Sequence, residues 1–198
     1  MARRLIANAG PMRGVALALL LDCRASLSVE IAVMGPMFVA LLTAILQIAL
    51  VFMAQGALET TAEQASRLIM TGQAQTYAGT TSTGTTYTGM TQADFKSAAC
   101  TELRASAPFL SCSNLYVDVT TVSAYSSAVM GLPLDSKGKL ATSFNYSVGT
   151  QGTIVVLRLI YQWPTVSAPL GFTLSNQSDG SRLLLATSVF KSEPYVTS

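Results

Sequence analysis

Four side chains in this sequence raise a chemical question first: the thiols of Cys23, Cys100 and Cys112, and the carboxylate of Glu30. Glu30 stands at the N-terminal edge of a run, residues 31–58, in which nothing is charged. A carboxylate there loses part of its hydration. Only a cation, a hydrogen-bond donor or the positive end of a helix offsets that loss. The carboxylates beyond the run (Glu59, Glu63, Asp94, Glu102, Asp118, Asp135, Asp179 and Glu193) are scattered, without the paired spacing of general acid–base work. Histidine is absent, which removes His triads, His bases and His metal ligands. No Gly-rich phosphate loop follows a strand, and no G-x-S-x-G turn occurs. These residues point away from an enzyme, a cofactor, a metal or a small-molecule substrate.

The elements that position Glu30 and the thiols come next. Charged residues are 11% of the chain and apolar ones 50%, against roughly 25% charged in an ordinary soluble domain. That deficit points to a membrane segment. A net charge of +2 with no basic stripe argues against a nucleic-acid partner. Residues 31–53, interrupted only by Gly35, Pro36, Thr43 and Gln47, reach roughly 34 Å as a helix, enough for a hydrocarbon core of about 30 Å. Arg3, Arg4, Arg13 and Arg24 precede this span, and within about 20 residues after it only Arg67 follows. The bias places the N-terminus in the cytoplasm and exports everything beyond residue 53. Cys100 and Cys112 are then on the oxidising side and are expected to pair, contributing about 3 kcal/mol in the chain-entropy view. Cys23, on the cytoplasmic side, takes no part.

The first 25 residues admit three readings. "GVALALLL" (14–21) behind three arginines has the form of a secretory signal core, but Asp22 and Arg24 make a poor cleavage region. "LLDC" (20–23) mimics a lipoprotein box, where Asp22 is too large for the position before the cysteine. The third reading fits better. "DCRASLSVEIAVMGP" (22–36) resembles the start of TadE-like pseudopilins of the tight-adherence (Flp-type) pilus system, with Arg24, Val29, Glu30 and Pro36 in register.

That resemblance implies a cytoplasmic leader, residues 1–25, cut between Ala25 and Ser26 by a prepilin peptidase. Ala25 departs from the glycine usual before the cut. The resemblance further implies that Glu30, fifth in the cleaved chain, meets the terminal amine of a neighbouring subunit during assembly. The residues alone allow another role, in which Glu30 stabilises its own helix start. At Gly35-Pro36, Pro36 lacks the N–H owed to the carbonyl of Ala32, so a helix kink is expected there. Glycine beside it lets another helix approach.

Beyond the span, Ala54, Ala57, Leu58, Ala62, Ala65, Leu68 and Ile69 recur at helical spacing, so the helix is predicted to continue, giving an N-terminal element over 26–75. Glu63 and Arg67 are spaced for a surface ion pair. "TYAGTTSTGTTYTG" (76–89) reads as a flexible surface loop. Thr91 and Asp94 open a helix that ends before Pro108. "NLYVDVTTVSAY" (114–125) alternates Leu115, Val117 and Val119 inward with Tyr116, Asp118 and Thr120 outward. "GTIVVLRLIYQWP" (152–164) and "SRLLLATSVFKSEPY" (181–195) supply two more strands. The expected fold class is α+β: a pilin-like long N-terminal helix, membrane-spanning in its first half, and a small antiparallel sheet domain over 76–198.

A second likeness to TadE-like proteins lies at "YQWP" (161–164) and "ATSVFKSEPY" (186–195), ending in Glu193, Pro194 and Tyr195. From the residues alone, Pro194 merely stops a strand. Together the two likenesses imply a minor pseudopilin of the bacterial inner membrane, with its C-terminal domain periplasmic or in an extracellular pilus. Its implied partners are the membrane, other pilins and pseudopilins, the assembly machinery and the peptidase. The alternative is an uncleaved, membrane-anchored periplasmic adaptor or binding protein.

Overall fold

A computed structural model describes residues 26–165 and 173–195. The leader, Cys23 and Ala25 lie outside the described residues. The first element, α1, is a 45-residue helix, Ser26–Met70, about 68 Å long. It is long and apolar enough to cross a membrane, and fits a single-pass anchor. Pro36 lies inside it without ending it.

The two halves of α1 bury differently because their side chains differ. Along residues 29–53 large apolar groups, Met34, Phe38, Leu46 and Phe52 among them, face outward all round. A helix apolar on every side belongs in lipid or in a core, and this half has no core about it. From Val51 onward one stripe is buried: Ala54, Ala57, Leu58, Thr61, Ala62, Ala65 and Ile69. Most of these are small, so the backbone lies close to what it packs on. Leu58 and Ile69 supply the bulk, each contributing about 2 kcal/mol by burial. Glu63 and Arg67, expected to pair, are both exposed and form no ion pair. In water such a pair is worth only a few tenths of a kcal/mol, too little to hold two long side chains.

After a short helix, α2 (Gln73–Thr76), strands β1 (Ala78–Thr80) and β2 (Thr86–Thr88) pair antiparallel. The Thr/Gly-rich stretch is thus a hairpin, not the unstructured loop expected from its composition. Gly79 makes room for the ring of Tyr87, which a Cβ at 79 would overlap. The Tyr87 hydroxyl donates to Asp94 Oδ2 at 2.7 Å, tying the hairpin to helix α3 (Gln92–Ser106). Thr91 and Asp94 form the expected capping box at the start of α3. The hydrogen bonds from Tyr87 and Thr91 hold the Asp94 carboxyl below its ordinary value, and the bond to Asp94 raises the Tyr87 hydroxyl above its own.

Strands β3 (Leu115–Val122), β4 (Ile154–Trp163) and β5 (Arg182–Lys191) form one antiparallel sheet with β4 in the centre. Leu115, Val117 and Val119, with Val155, Leu157, Leu159 and Tyr161, point to the helix side and build the core with Phe95 and Leu103 of α3. The fold is α+β, as expected. The disulfide Cys100–Cys112 forms, with Cα atoms 5.7 Å apart, and fastens α3 to the approach to β3. Tyr161 Oη accepts a hydrogen bond from the Ser111 amide at 3.0 Å, holding that approach against the sheet.

The opposite face of the sheet corrects the sequence reading. Asp118, expected outward in water, is 2% exposed. It sits directly across from Arg158 in the β3–β4 register, and Arg158 Nε donates to its Oδ2 at 2.8 Å. Asp118 Oδ1 accepts from the Asn145 amide at 2.8 Å, and Arg158 Nη1 donates to the carbonyl of Gly131 at 3.2 Å. The segment between β3 and β4 folds over this pair and hides it. A buried pair of this kind adds little over an apolar pair of equal size, but losing one member strands the other charge. Asp118→Asn is therefore expected to destabilise the full chain by about 3 kcal/mol, while Asp118→Asn with Arg158→Met costs clearly less. Urea unfolding followed by Trp163 fluorescence measures both. Equal losses in the single and double variants would contradict this role for the pair.

Candidate functional site

The first candidate is the N-terminal end of α1. Ser26 is its first described residue and Glu30 follows four positions later, one turn along the same face. Glu30 is exposed, among exposed apolar neighbours Val29, Ile31 and Val33. Helical side chains lean toward the N-terminus, so the Glu30 carboxylate is directed back toward the level of Ser26. A positive group arriving at that level, from this chain or another, is within its reach. Gly35 follows one turn later, with open space where a Cβ would stand, and Pro36 beside it.

The second candidate is the Glu193-Pro194-Tyr195 segment, and here the structure adds what the sequence did not offer. Helix α1 ends because Gly72 takes φ = 81°, and its amide donates to the carbonyl of Ile69 at 3.2 Å. Such an end leaves carbonyls without helical partners. The amide of Glu193 donates to one of them, Met70 O, at 2.9 Å. The side chain of Tyr195 lies against Gly72, where a Cβ would stand 2.3 Å from the Tyr195 Cγ. Tyr195 also accepts a hydrogen bond from the Gln151 side chain through its carbonyl. The motif is a clasp. It ties the chain's C-terminal strand to the far end of the N-terminal helix, some 120 residues earlier in sequence.

A third tie lies nearer the apolar half of α1. Gln55 Nε2 donates to the carbonyl of Leu185 at 3.0 Å. With the Met70–Glu193 bond, this runs α1 alongside β5 in the same direction. The sheet's other end, with Trp163 and the start of β5, therefore faces the apolar half of the helix. Trp163 packs edge-on against Phe109, ring centres 6.3 Å apart. Tyr161, also in the "YQWP" motif, is buried with 3% exposure.

The structure does not bring the two candidate ends together. Glu30 and Tyr195 occupy opposite ends of the same rod, with the apolar half and the domain between them. Among the described residues, no group of three or more Cys, Asp or Glu is placed to hold a metal. Sequence reasoning missed the Asp118–Arg158 pair and the partnership of Gly72 with Tyr195. The first had a signal: opposite charges interrupting two neighbouring apolar strands. The second had none, because a glycine and a tyrosine so far apart in sequence carry no mark of their contact.

The family model described as TadE-like protein matches residues 25–67. That span takes in nearly all of α1, with Val29, Glu30 and Pro36, and begins at Ala25. The N-terminal segment is thus similar to TadE-like proteins, while the C-terminal motif lies outside the match. No curated protein and no solved structure gives a significant match.

The clasp predicts a specific energetic coupling. Gly72→Ala is expected to cost about 2 kcal/mol, from the positive φ and the collision with Tyr195. In a Tyr195→Ala background the same change should cost markedly less, since the ring is gone. Urea unfolding of the four chains gives the cycle. Simple additivity would show that Tyr195 does not pack on Gly72.

Proposed function

We infer that this chain is a minor pseudopilin: a structural component of a tight-adherence (Flp-type) pilus or a related secretion machine. The observation that carries the reading is one unbroken helix whose TadE-like match begins at the proposed cleavage junction. Its inner half suits lipid, or the packed axis of a fibre, and its outer half is the spine of an α+β domain. In this reading residues 1–25 form a cytoplasmic leader, removed between Ala25 and Ser26 by a prepilin peptidase. Residues 31–53 span the inner membrane with the N-terminus inside, and the domain beyond faces the periplasm.

Counted from a new terminus at Ser26, Glu30 is fifth. The macrodipole benefit falls off beyond the first turn, so helix-start stabilisation alone gives Glu30 a weak reason to stand there. An amine on the next subunit gives a stronger one. At the edge of hydrocarbon, a charged pair with a hydrogen bond offsets desolvation that an isolated carboxylate bears in full. Gly35 and Pro36 let the helix bend, or a neighbour approach, as the subunit leaves the bilayer. Nothing in this role requires a cofactor, a metal or a catalytic group.

The test is Glu30→Gln. Insertion, leader removal and domain folding are expected to stay near normal, because they depend on other residues. Pilus formation at matched levels of cleaved protein should fall by about tenfold or more, since the amide keeps the shape but loses the charge. Normal assembly in the Gln variant would sink the pairing role. An uncleaved chain that still works would instead favour the anchored-adaptor reading.

A further inference from the structure

The apolar run and the domain overlap on α1. Residues 31–50 alone make up about 30 Å of helix, the full hydrocarbon thickness. Yet the domain already touches the helix at Gln47 and Leu50, where Trp163, Pro164 and Leu174 line a recess of about 120 Å³. Next to Leu50, Val51 is buried against the domain while Phe52, on another side, is 73% exposed. The base of the domain therefore cannot stand clear of a bilayer that α1 crosses. Trp163 and Pro164 are brought to the level of the lipid headgroups.

A second groove, of about 200 Å³, opens between this stretch of α1 and the start of β5. Its walls are mostly apolar, with Ile48, Phe52, Leu174 and Leu185; Gln55 lines one side, and a cation, Arg182, stands among them. Arg182 Nη1 donates to the carbonyl of Leu174 at 3.0 Å, which fixes the guanidinium in place. Its Nε is buried and, among the described residues, has no acceptor. A buried donor without an acceptor is costly, and a guanidinium presents a planar fork suited to phosphate. Apolar walls beside a donor-rich cation, at headgroup depth, match the two ends of one kind of molecule.

We propose that this groove is a phospholipid site. Arg182 takes the phosphate, the glycerol and upper acyl carbons lie along Ile48 and Phe52, and Trp163 and Phe109 form an interfacial shelf beside it. Trp favours that layer because its ring is apolar and its N–H is not. The site fixes the depth and tilt of the domain on the membrane before the subunit is withdrawn. Leaving the bilayer then requires giving up this lipid as well as the span.

The proposal rests on α1 spanning the membrane, and its test separates the two claims. Trp163 is the chain's one tryptophan, so its fluorescence reports this place alone. The full chain is reconstituted into vesicles of phosphatidylethanolamine and phosphatidylglycerol containing phosphatidylcholine brominated either near the glycerol or near the chain ends. Trp163 is expected to be quenched more by the shallow bromine than by the deep one, and little by iodide in water. Native mass spectrometry of the full chain released from detergent should show one retained phospholipid. Arg182→Gln should weaken that retention about tenfold, with Arg182→Lys in between. A chain that floats with the vesicles, yet has Trp163 open to iodide and silent to brominated lipid, would overturn the site and leave the span standing. Retention unchanged in a folded Arg182→Gln chain would also overturn it. A chain that does not float would overturn both.

Discussion

One helix must satisfy two surroundings, and that constraint organises the molecule. Residues 29–46 of α1 need lipid or packed helices on all sides, because large apolar groups surround the rod. Residues 54–70 need a folded domain on one stripe and water on the rest. The change of demand falls within a single unbroken hydrogen-bonded rod. The domain therefore cannot fold as an independent ball joined by a linker. It completes its core with Leu58, Ala62, Ala65 and Ile69 of the same helix whose first half is apolar on every side.

A rod shared in this way has to be held along its length, or the apolar half would lever it off the sheet. Three ties do so. Gln55 holds the carbonyl of Leu185 near the apolar half of the helix. The small-residue stripe packs on β4, β5 and α3 in the middle, with α3 itself fastened by Cys100–Cys112. At the far end the amide of Glu193 takes the carbonyl of Met70 and Tyr195 covers Gly72. The hydrogen bonds at the two ends are weak alone, about 1 kcal/mol each. Spread over the length of β5, they couple any tilt of the helix to the whole domain. The buried Asp118–Arg158 pair serves a different end, locking the long β3–β4 connection across the sheet's second face.

The parts that were legible in the sequence share one property: a local pattern decides them. The extent of α1, the capping box at Thr91 and Asp94, and the helix-facing sides of β3 and β4 follow from periodicities of 3.6 and 2 within a dozen residues. What the sequence hid depends on partners that are distant or on context that cancels propensity. The run around Gly79 and Tyr87 has the composition of a loop, yet a glycine–tyrosine contact and the Asp94 carboxylate hold it as a hairpin. Asp118 alternates as an outward residue should, and is buried only because residues 129–145 fold over it. Of the candidate site, Glu30 was visible as a charge against an apolar run. The clasp at Tyr195 was visible only as a motif, and its meaning came from Gly72.

We propose that α1 in the working protein begins at Ser26, with Glu30 placed to receive a neighbour's amine. The most direct measurement is the intact mass and N-terminal sequence of the chain purified from cells with and without prepilin peptidase. The expected result is a chain beginning at Ser26 when the peptidase is present and one retaining residues 1–25 when it is absent. A working chain that keeps those residues in both cells, or one cut elsewhere independently of the peptidase, would contradict it.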